Sequence, residues 1–399
     1  MKKLMLLGGS RYALPVIKTA HDLGIYVITC DYLPDNVAHK FSDRYCNISI
    51  IDKEAVLKAA IELKIDGIMS FACDPGVVTA AYVAEKMGLE SCGSYEAVSV
   101  LQNKAKFRRF LADNGFNVPQ IHTYTTAEAA LDDRNRIDYP VIVKPVDSAG
   151  SKGVSRVDDP DKLPGAVRRA FDYSVKKEII IEDFLEKTGF SSDTDCFSVD
   201  GGLEFVSFNC QRFDETGENP YAPAAYSWPS SMPEIVEKEL TRELQRLIDL
   251  LKLKTSVYNV ETRLASNGKP YIMEFSPRGG GNRLSECIKY ATGVDLIEGA
   301  VKAAMGMTVD CISQKPYAGH WGEIVLHSDA EGKYSGLWIS DEIEKNVAEK
   351  DIWVSEGDTV YGFDSANKAI GTLILCFDDE DSMEKVMNDI SRFVKVKTE

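Results

Sequence analysis

The chain is poor in histidine, has no zinc-type cysteine spacing and no long apolar run, and is short of basic charge. Its five histidines are scattered, so neither a His-rich metal centre nor a Ser/His/Asp or Cys/His nucleophilic constellation is legible. Nine cysteines occur without a C-x-x-C pair. Their odd number and irregular spacing suit reduced packing thiols of a cytoplasmic protein better than zinc ligands or a disulfide framework. The start, MKKLMLLGGS, holds an apolar run of four residues before its glycines, too short for a signal-peptide core, and no segment approaches a membrane span. Acidic side chains outnumber basic ones 62 to 46, a formal net charge of -16. That excludes nucleic acid or an anionic membrane as the main partner, because both need a basic surface. A nucleotide would have to be met by a few basic residues gathered locally.

What is present is a 399-residue chain, 44% hydrophobic and 27% charged, which predicts a packed globular protein of two or three units. Residues 1–93 alternate strands with helices. KLMLLG is a buried strand; Val16, Ile17, Ala20 and Leu23 fall at helical spacing, closed by Gly24. IYVITCDY, KEAVLKAAIELK and DGIMSFA continue as strand, helix and strand. Such alternation predicts a parallel sheet with right-handed crossovers. Gly8-Gly9-Ser10 with Asp31 after the second strand approximates a dinucleotide fingerprint, but Ser10 and Ala13 occupy the second and third glycine positions. The turn therefore reads as a Rossmann-like scaffold whose strand ends face a cleft.

From Ser94 the pattern changes. SYEAVSVLQNKAKFRRFLADNG is helical, and YPVIVKPVDSAGSKG is a strand entering a small-residue loop. EIIIEDFLE is a strand, DTDCFSVDGGLEFVSFNCQRF a hairpin, TRELQRLIDLLKL an amphipathic helix, and VYNVETRLASNGKPYIMEFSPR a hairpin around Asn267-Gly268. That last hairpin can bring Glu261 and Glu274 onto one face. Adjacent carboxylates repel, at a cost of about 1 kcal/mol or more. A divalent cation removes the cost, and magnesium takes one or two carboxylates together with phosphate oxygens and water. Ser276 follows on the same face, and Arg278 beyond it has the planar fork that grips a phosphate or carboxylate. The three glycines after Arg278 suggest close backbone approach to a ligand.

Lys144 ends the strand VIVK, and the loop bearing Ser148, Gly150, Ser151, Lys152 and Gly153 either folds over phosphates through its N–H groups or is a plain turn. Lys104 lies on a helix, where a lone lysine is ordinarily solvated. Glu182 ends a strand whose backbone can meet an adenine edge while its carboxylate accepts from the exocyclic amine. In the long loop QRFDETGENPYAPAAYSWPSS, Arg212 could pair with a substrate carboxylate, while Tyr221, Tyr226 and Trp228 line a pocket. Arg283 is a second candidate for substrate contact.

The order NK, VIVKP with a glycine loop, IIIEDFL, NVE and MEFSPRGG resembles the ATP-grasp superfamily, in the carbamoyl-phosphate synthase, biotin carboxylase and L-amino-acid ligase branch. The resemblance spans roughly residues 94–305. It implies an α/β and α+β architecture: a Rossmann-like pre-ATP-grasp domain (1–93), a first grasp part with the glycine-loop lid (94–185), a second part with the metal hairpin (186–305) and a C-terminal α+β segment (306–399). It implies that Lys104 and Lys144 contact ATP phosphates, that Glu182, Phe184 and Leu185 form the adenine hinge, and that Glu261 and Glu274 hold magnesium or manganese. Ser276 stands where the family usually has Asn as a third ligand. Arg278 matches the arginine that stabilises the transferring phosphoryl group. The family's G-x-E ribose segment is absent from EKTGFSSDTDCF, leaving Asp193 or Asp195 as substitutes.

The implied activity is an ADP-forming ligase that activates a carboxylate as an acyl phosphate and joins it to an amine, such as an amino acid or peptide. The alternatives are a bicarbonate-activating carboxylase or carbamoyl-phosphate-synthase-like enzyme, and a catalytically silent ATP-binding protein. Partners are then small-molecule carboxylates and amines, with no nucleic acid and no membrane. Residues 306–399 either complete the site or form a homodimer contact.

Overall fold

A computed structural model describes residues 1–148, 152–214, 217 and 219–399. The apolar runs of the first unit become β1 (Lys3–Leu7), β2 (Tyr26–Asp31), β3 (Arg44–Asn47) and β4 (Gly67–Ser70), interleaved with α1 (Leu14–Asp22), α2 (Lys53–Leu63) and α3 (Asp74–Met87). The sheet is parallel in the order β3-β2-β1-β4. Leu4 to Leu7 are fully buried, as a strand covered on both faces requires. The strand order reverses beside β1, the place where such sheets set a crevice at their carboxyl ends. Gly8 and Gly9 follow β1 there, and Asp74 opens the helix after β4.

The next segment runs α4 (Tyr95–Leu101), α5 (Lys104–Asp113), β5 (Ile121–Tyr124), α6 (Ala127–Asp132), β6 (Val141–Pro145), β7 (Ser155–Val157), α7 (Leu163–Tyr173) and β8 (Ile179–Asp183). Ser94 and Asn103 cap α4 and α5 by accepting from Ala97 and Lys106 N–H, which fixes where Lys104 begins its helix. The strands form a sheet in the order β5-β8-β6-β7, with Leu163, Val167 and Ala170 of α7 packed against Val141, Val143 and Ile181.

Then come β9 (Ser192–Val199), β10 (Gly202–Phe205), β11 (Cys210–Phe213), β12 (Pro223–Trp228), α8 (Glu234–Leu251), β13 (Ser256–Leu264) and β14 (Pro270–Ser276). Both expected hairpins form, β9 with β10 and β13 with β14, in a sheet ordered β10-β9-β13-β14. Leu240, Leu244, Leu247 and Ile248 of α8 pack against Tyr258, Val260 and Phe275 of that sheet.

The chain closes with α9 (Leu284–Thr292), α10 (Leu296–Ala304), β15 (His320–Leu326), β16 (Gly332–Ile339), β17 (Val347–Ile352), β18 (Thr359–Val360), β19 (Gly371–Phe377), α11 (Glu380–Met387), α12 (Ile390–Phe393) and β20 (Val394–Thr398). Here the sequence expectation needs correcting. The stretch read as one long loop supplies β11 and β12, which join the last segment in a sheet ordered β11-β12-β15-β19-β17. Tyr226 and Trp228 are core residues, 1% and 0% exposed. One apolar cluster runs from Leu4, Ile17 and Phe71 through Phe197 and Leu284 to Trp228 and Val325, so the first unit, the hairpin sheet and the last sheet share a core. Among the described residues, no helix is long and apolar enough to cross a membrane.

Candidate active site

The β9, β13 and β14 register sets out a grid of polar side chains. Glu261 pairs with Glu274 on one side and Asp193 on the other; two residues along, Asn259 pairs with Ser276 and Asp195. Direct partners share a face, so Asp193, Glu261 and Glu274 form one row. Positive charge near it is sparse: Arg263 Nη2 lies 3.7 Å from Glu261 and Lys104 Nζ 3.4 Å from Glu274. Burial, then the Glu261 charge, pushes the Asp193 carboxyl up to about 7. Burial also raises Glu261, with Glu274 adding to the effect, and pushes Asp195 up to about 6. Carboxylates in one row with little compensating charge are donors of the kind a divalent cation takes, although the oxygens of all three do not converge on one point in this structure.

Asp193 and Asp195 do not stand where a ribose contact was expected. Asp193 accepts from Asn259 Nδ2 at 2.9 Å and Gln211 Nε2 at 3.3 Å. Asp195 is fully buried and accepts from Gly280 N–H at 2.8 Å and from Ser285. Both belong to the carboxylate floor and the glycine turn.

Ser276 also has other work. Its hydroxyl is fully buried, donates to Asp74 Oδ1 at 2.9 Å and accepts from Gln102 Nε2 at 2.7 Å. Its proton and one of its two lone pairs are thus committed to Asp74 and Gln102, which leaves a single lone pair for any third-ligand role. Arg278 meets the same Asp74 through two parallel bonds, Nε to Oδ1 at 2.9 Å and Nη2 to Oδ2 at 2.8 Å. Burial works against charge on both partners, and their mutual attraction outweighs it, holding Asp74 below and Arg278 above their ordinary ranges. The first unit thus orients the arginine of the hairpin.

A second cluster lies around β8. Glu182, 2% exposed, accepts from Arg108 Nε at 3.0 Å and from Lys144 Nζ. Burial alone would raise its carboxyl; Arg108 and Lys144 overcome that and hold it at about 2. The expectation that this carboxylate receives an adenine amine is therefore corrected: both oxygens are taken, and Glu182 positions Lys144. Phe184 N–H is also committed, to Pro140 O at 3.0 Å, whereas Leu185 N–H has no acceptor among the described residues. Lys104 Nζ lies 3.1 Å from Ser148 O as well as near Glu274, so it ties the loop after β6 to the β13–β14 hairpin. Ser148 donates to Lys152 O at 3.0 Å, and Gly153, at φ +75°, packs against Tyr173 and Pro145. Gly150 and Ser151 lie outside the described residues.

The glycines after Arg278 serve the protein more than a ligand. A Cβ on Gly279 would stand 2.2 Å from the Phe71 ring, and one on Gly280 2.9 Å from Asp195 Oδ1. At Gly281 alone is there room, with Tyr12 the nearest contact at 3.9 Å.

Residues 137–286 match a family model described as the ATP-grasp domain. The structure is similar to that of an L-amino acid ligase from Bacillus licheniformis, with a TM-score of 0.82 and 20% identity over 100% of this chain and 99% of that one. It is also similar to phosphoribosylglycinamide synthetase from Anaerococcus prevotii, with a TM-score of 0.77 and 19% identity over 100% of both chains. The chain has the ATP-grasp fold.

Sequence similarity among curated proteins runs to carbamoyl phosphate synthase large chains. That of Thermotoga neapolitana is 27% identical over 54% of this chain and 19% of its own length. The C-terminal section from Methanocaldococcus jannaschii is 24% identical over 80% of this chain and 50% of its own length. The chain thus spans about a fifth of the large chains it matches.

Within the ATP-grasp fold, the two arginines expected to touch substrate are occupied. Arg212 donates to Cys210 O, Ser227 Oγ and Asn388 Oδ1, and its guanidinium lies over the Phe190 ring; it fastens β11 to the end of α11. Arg283 is paired at 2.8 Å with both Glu286 and Glu349. Tyr226 and Trp228 are engaged in the core, Trp228 through Nε1 to Ser207 Oγ at 3.1 Å. Sequence reasoning missed Asp74, Gln102, Arg108 and Asn259. Arg108 had a signal, one helical turn after Lys104 on the same face. Asp74 had a weaker one, an acid opening a helix at the crevice.

Proposed function

We propose that this chain is an ATP- and magnesium-dependent ligase that activates a substrate carboxylate as an acyl phosphate and joins it to an amine. The observation that carries this reading is the row Asp193–Glu261–Glu274, short of positive charge and flanked by Lys104 and the Asp74-oriented Arg278, on an ATP-grasp fold. The units of the reading are residues 1–93, 94–185, 186–305 and 306–399.

In the first step a carboxylate oxygen of the substrate attacks the γ-phosphorus of ATP. The bond to the β,γ-bridging oxygen breaks and its electron pair leaves on ADP. In the second step the amine nitrogen attacks the acyl carbon, phosphate departs with the bonding pair, and the nitrogen loses a proton. Glu261 and Glu274 would hold magnesium, which when bound neutralises phosphate charge and orients the phosphoryl group. Lys104 and Lys144 would bring positive charge to the phosphates, with Lys144 aimed by Glu182. Leu185 N–H is the free hinge donor for the base. Arg278, already oriented by Asp74, would meet charge as it develops on the transferring group without reorganising at that moment. No side-chain nucleophile is needed.

The test is ADP release with pools of amino acids, peptides and bicarbonate, with the spent nucleotide resolved by chromatography and hydroxylamine added to trap acyl phosphate as hydroxamate. ADP, phosphate and a hydroxamate are expected. AMP and pyrophosphate would overturn the reading. Bicarbonate belongs in the pools because the sequence likeness runs to carbamoyl phosphate synthase large chains.

A further inference from the structure

The half-buried face of β13 carries Asn259, Glu261 and Arg263 in turn, while Val260, Thr262 and Leu264 are buried on the other. Alternate residues of a strand share a face, so Arg263 projects beside Glu261. Its guanidinium is divided among three elements. Nε donates to Ser191 Oγ at 3.1 Å, immediately before β9. Nη1 donates to Leu185 O at 3.3 Å, in the segment after β8. Nη2 faces Glu261 Oε1 at 3.7 Å. With its side chain 18% exposed, little of the fork is left to water.

The segment after β8 is stitched to the far end of β13 by its backbone. Thr188 N–H donates to Leu264 O at 2.8 Å, and Ser266 N–H to Glu186 O at 2.8 Å. Leu185 O lies just before that stitching and is met by the Arg263 side chain instead. A bond from a charged donor is roughly twice as strong as a neutral one, so the peptide adjoining the Leu185 N–H is held firmly. The contact with Glu261 is of another kind. At 3.7 Å it is too long for a hydrogen bond and occupies no lone pair of the carboxylate. Its positive charge still lowers the pull of the row on a cation. Of the cations at the row, Lys104 reaches Ser148 O and Arg263 reaches the hinge.

We propose that Arg263 is a positioning residue that couples the two ends of the nucleotide site. It steadies the hinge at Leu185, and it holds down the affinity of the carboxylate row for a bare divalent cation, so that metal is taken up with the phosphates of the nucleotide rather than before them. The assignment rests on the ligase reading above and adds to it a residue that sets the order of loading.

Arg263→Met keeps an unbranched stem and removes the charge; Arg263→Lys keeps the charge and loses the fork. Two affinities are measured on the full chain: Mn2+ without nucleotide, by the electron paramagnetic resonance of the free ion, and ADP without metal, by calorimetry in EDTA. In Arg263→Met the Mn2+ affinity should rise about fivefold or more, as a positive charge leaves the row, while ADP affinity falls several-fold as the hinge loosens. Arg263→Lys should hold Mn2+ affinity within about twofold of wild type and still lose ADP affinity. General damage to the sheet would lower both affinities, so opposite movements in one variant mark the coupling. Mn2+ and ADP affinities that fall together, or either one unchanged in Arg263→Met, would show a structural brace and overturn the proposal. So would a gain in Mn2+ affinity as large in Arg263→Lys as in Arg263→Met, because charge would then not be the cause. A wild type that binds ADP leaves the ligase reading standing through any of these failures; one that binds neither ADP nor Mn2+ sinks that reading itself.

Discussion

Glu182 and Glu261 lie on neighbouring sheets of one fold, and their surroundings are charged in opposite ways. Glu182 has two cations on its two oxygens and a carboxyl held at about 2. Glu261 has two carboxylates beside it in the sheet register, one guanidinium at 3.7 Å, and a carboxyl raised above its ordinary range. The Glu182 pair is sealed from water whereas Glu261 and Glu274 are about a third exposed, and the two clusters also differ in the count of charges. The first is complete within the chain and fixes the direction of Lys144. The second keeps an excess of negative charge that a cation would offset, and strain of that sign marks a ligand site more than a structural one.

The largest effect should come from taking a charge out of the incomplete cluster. Glu274→Gln is expected to lower turnover by orders of magnitude, the scale of several kcal/mol of lost charge stabilisation, with little change in ligand-free Tm. Near-normal ATP turnover in this variant would remove Glu274 from the metal site. Glu182→Gln should do the reverse, destabilising the ligand-free chain by about 3–5 kcal/mol because two buried cations lose their partner. The sign of its pH dependence follows from the lowered pKa. Since the carboxyl titrates at about 2 folded against 4.5 unperturbed, its contribution is complete above pH 4.5 and fades as pH falls towards 2. Denaturation of wild type and variant should therefore converge in acid; a constant gap would place the effect elsewhere.

Arg278→Lys keeps the charge and loses the planar fork held by Asp74. Turnover should fall by roughly a hundredfold or more, with nucleotide affinity changed only a few-fold. Equal losses in both would make Arg278 a ground-state phosphate anchor. The smallest effect is expected from Glu261→Gln on ligand-free stability. Relief of repulsion should raise Tm slightly, by up to about 1 kcal/mol in stability, while magnesium-dependent stabilisation is lost. A fall in Tm would mean that Glu261 is already balanced and the two clusters are not opposites.

The carboxylate row was legible because a strand has a period of two and Asn267-Gly268 sets where the hairpin turns. Those local facts bring Glu261 opposite Glu274, as the register has it. The parallel sheet of residues 1–93 was legible for the same kind of reason: short buried runs alternating with helical spacing. The role of Glu182 was misjudged because Arg108, which claims one of its oxygens, is 74 residues away in sequence. Ser276 and Arg278 were placed on the correct strand exit, yet the partner they share, Asp74, is about two hundred residues earlier.

What the sequence by itself determined is what acts over a few residues. It set most strands and helices, the two hairpins, and a motif order specific enough to point to the ATP-grasp fold; the break of residues 94–115 into two helices at Asn103 came from the structure. What only the tertiary structure decided is which polar groups neutralise each other. Arg212 and Arg283 were free candidates in the sequence and are committed side chains in the fold. Gln211 and Glu323 had no signal in the sequence, yet the fold buries them on one sheet face, each with one oxygen that has no partner among the described residues. The reason is that periodicity fixes the face a residue shows, whereas desolvation and pairing depend on what other segments bring to that face, and Coulomb attraction has no regard for distance along the chain.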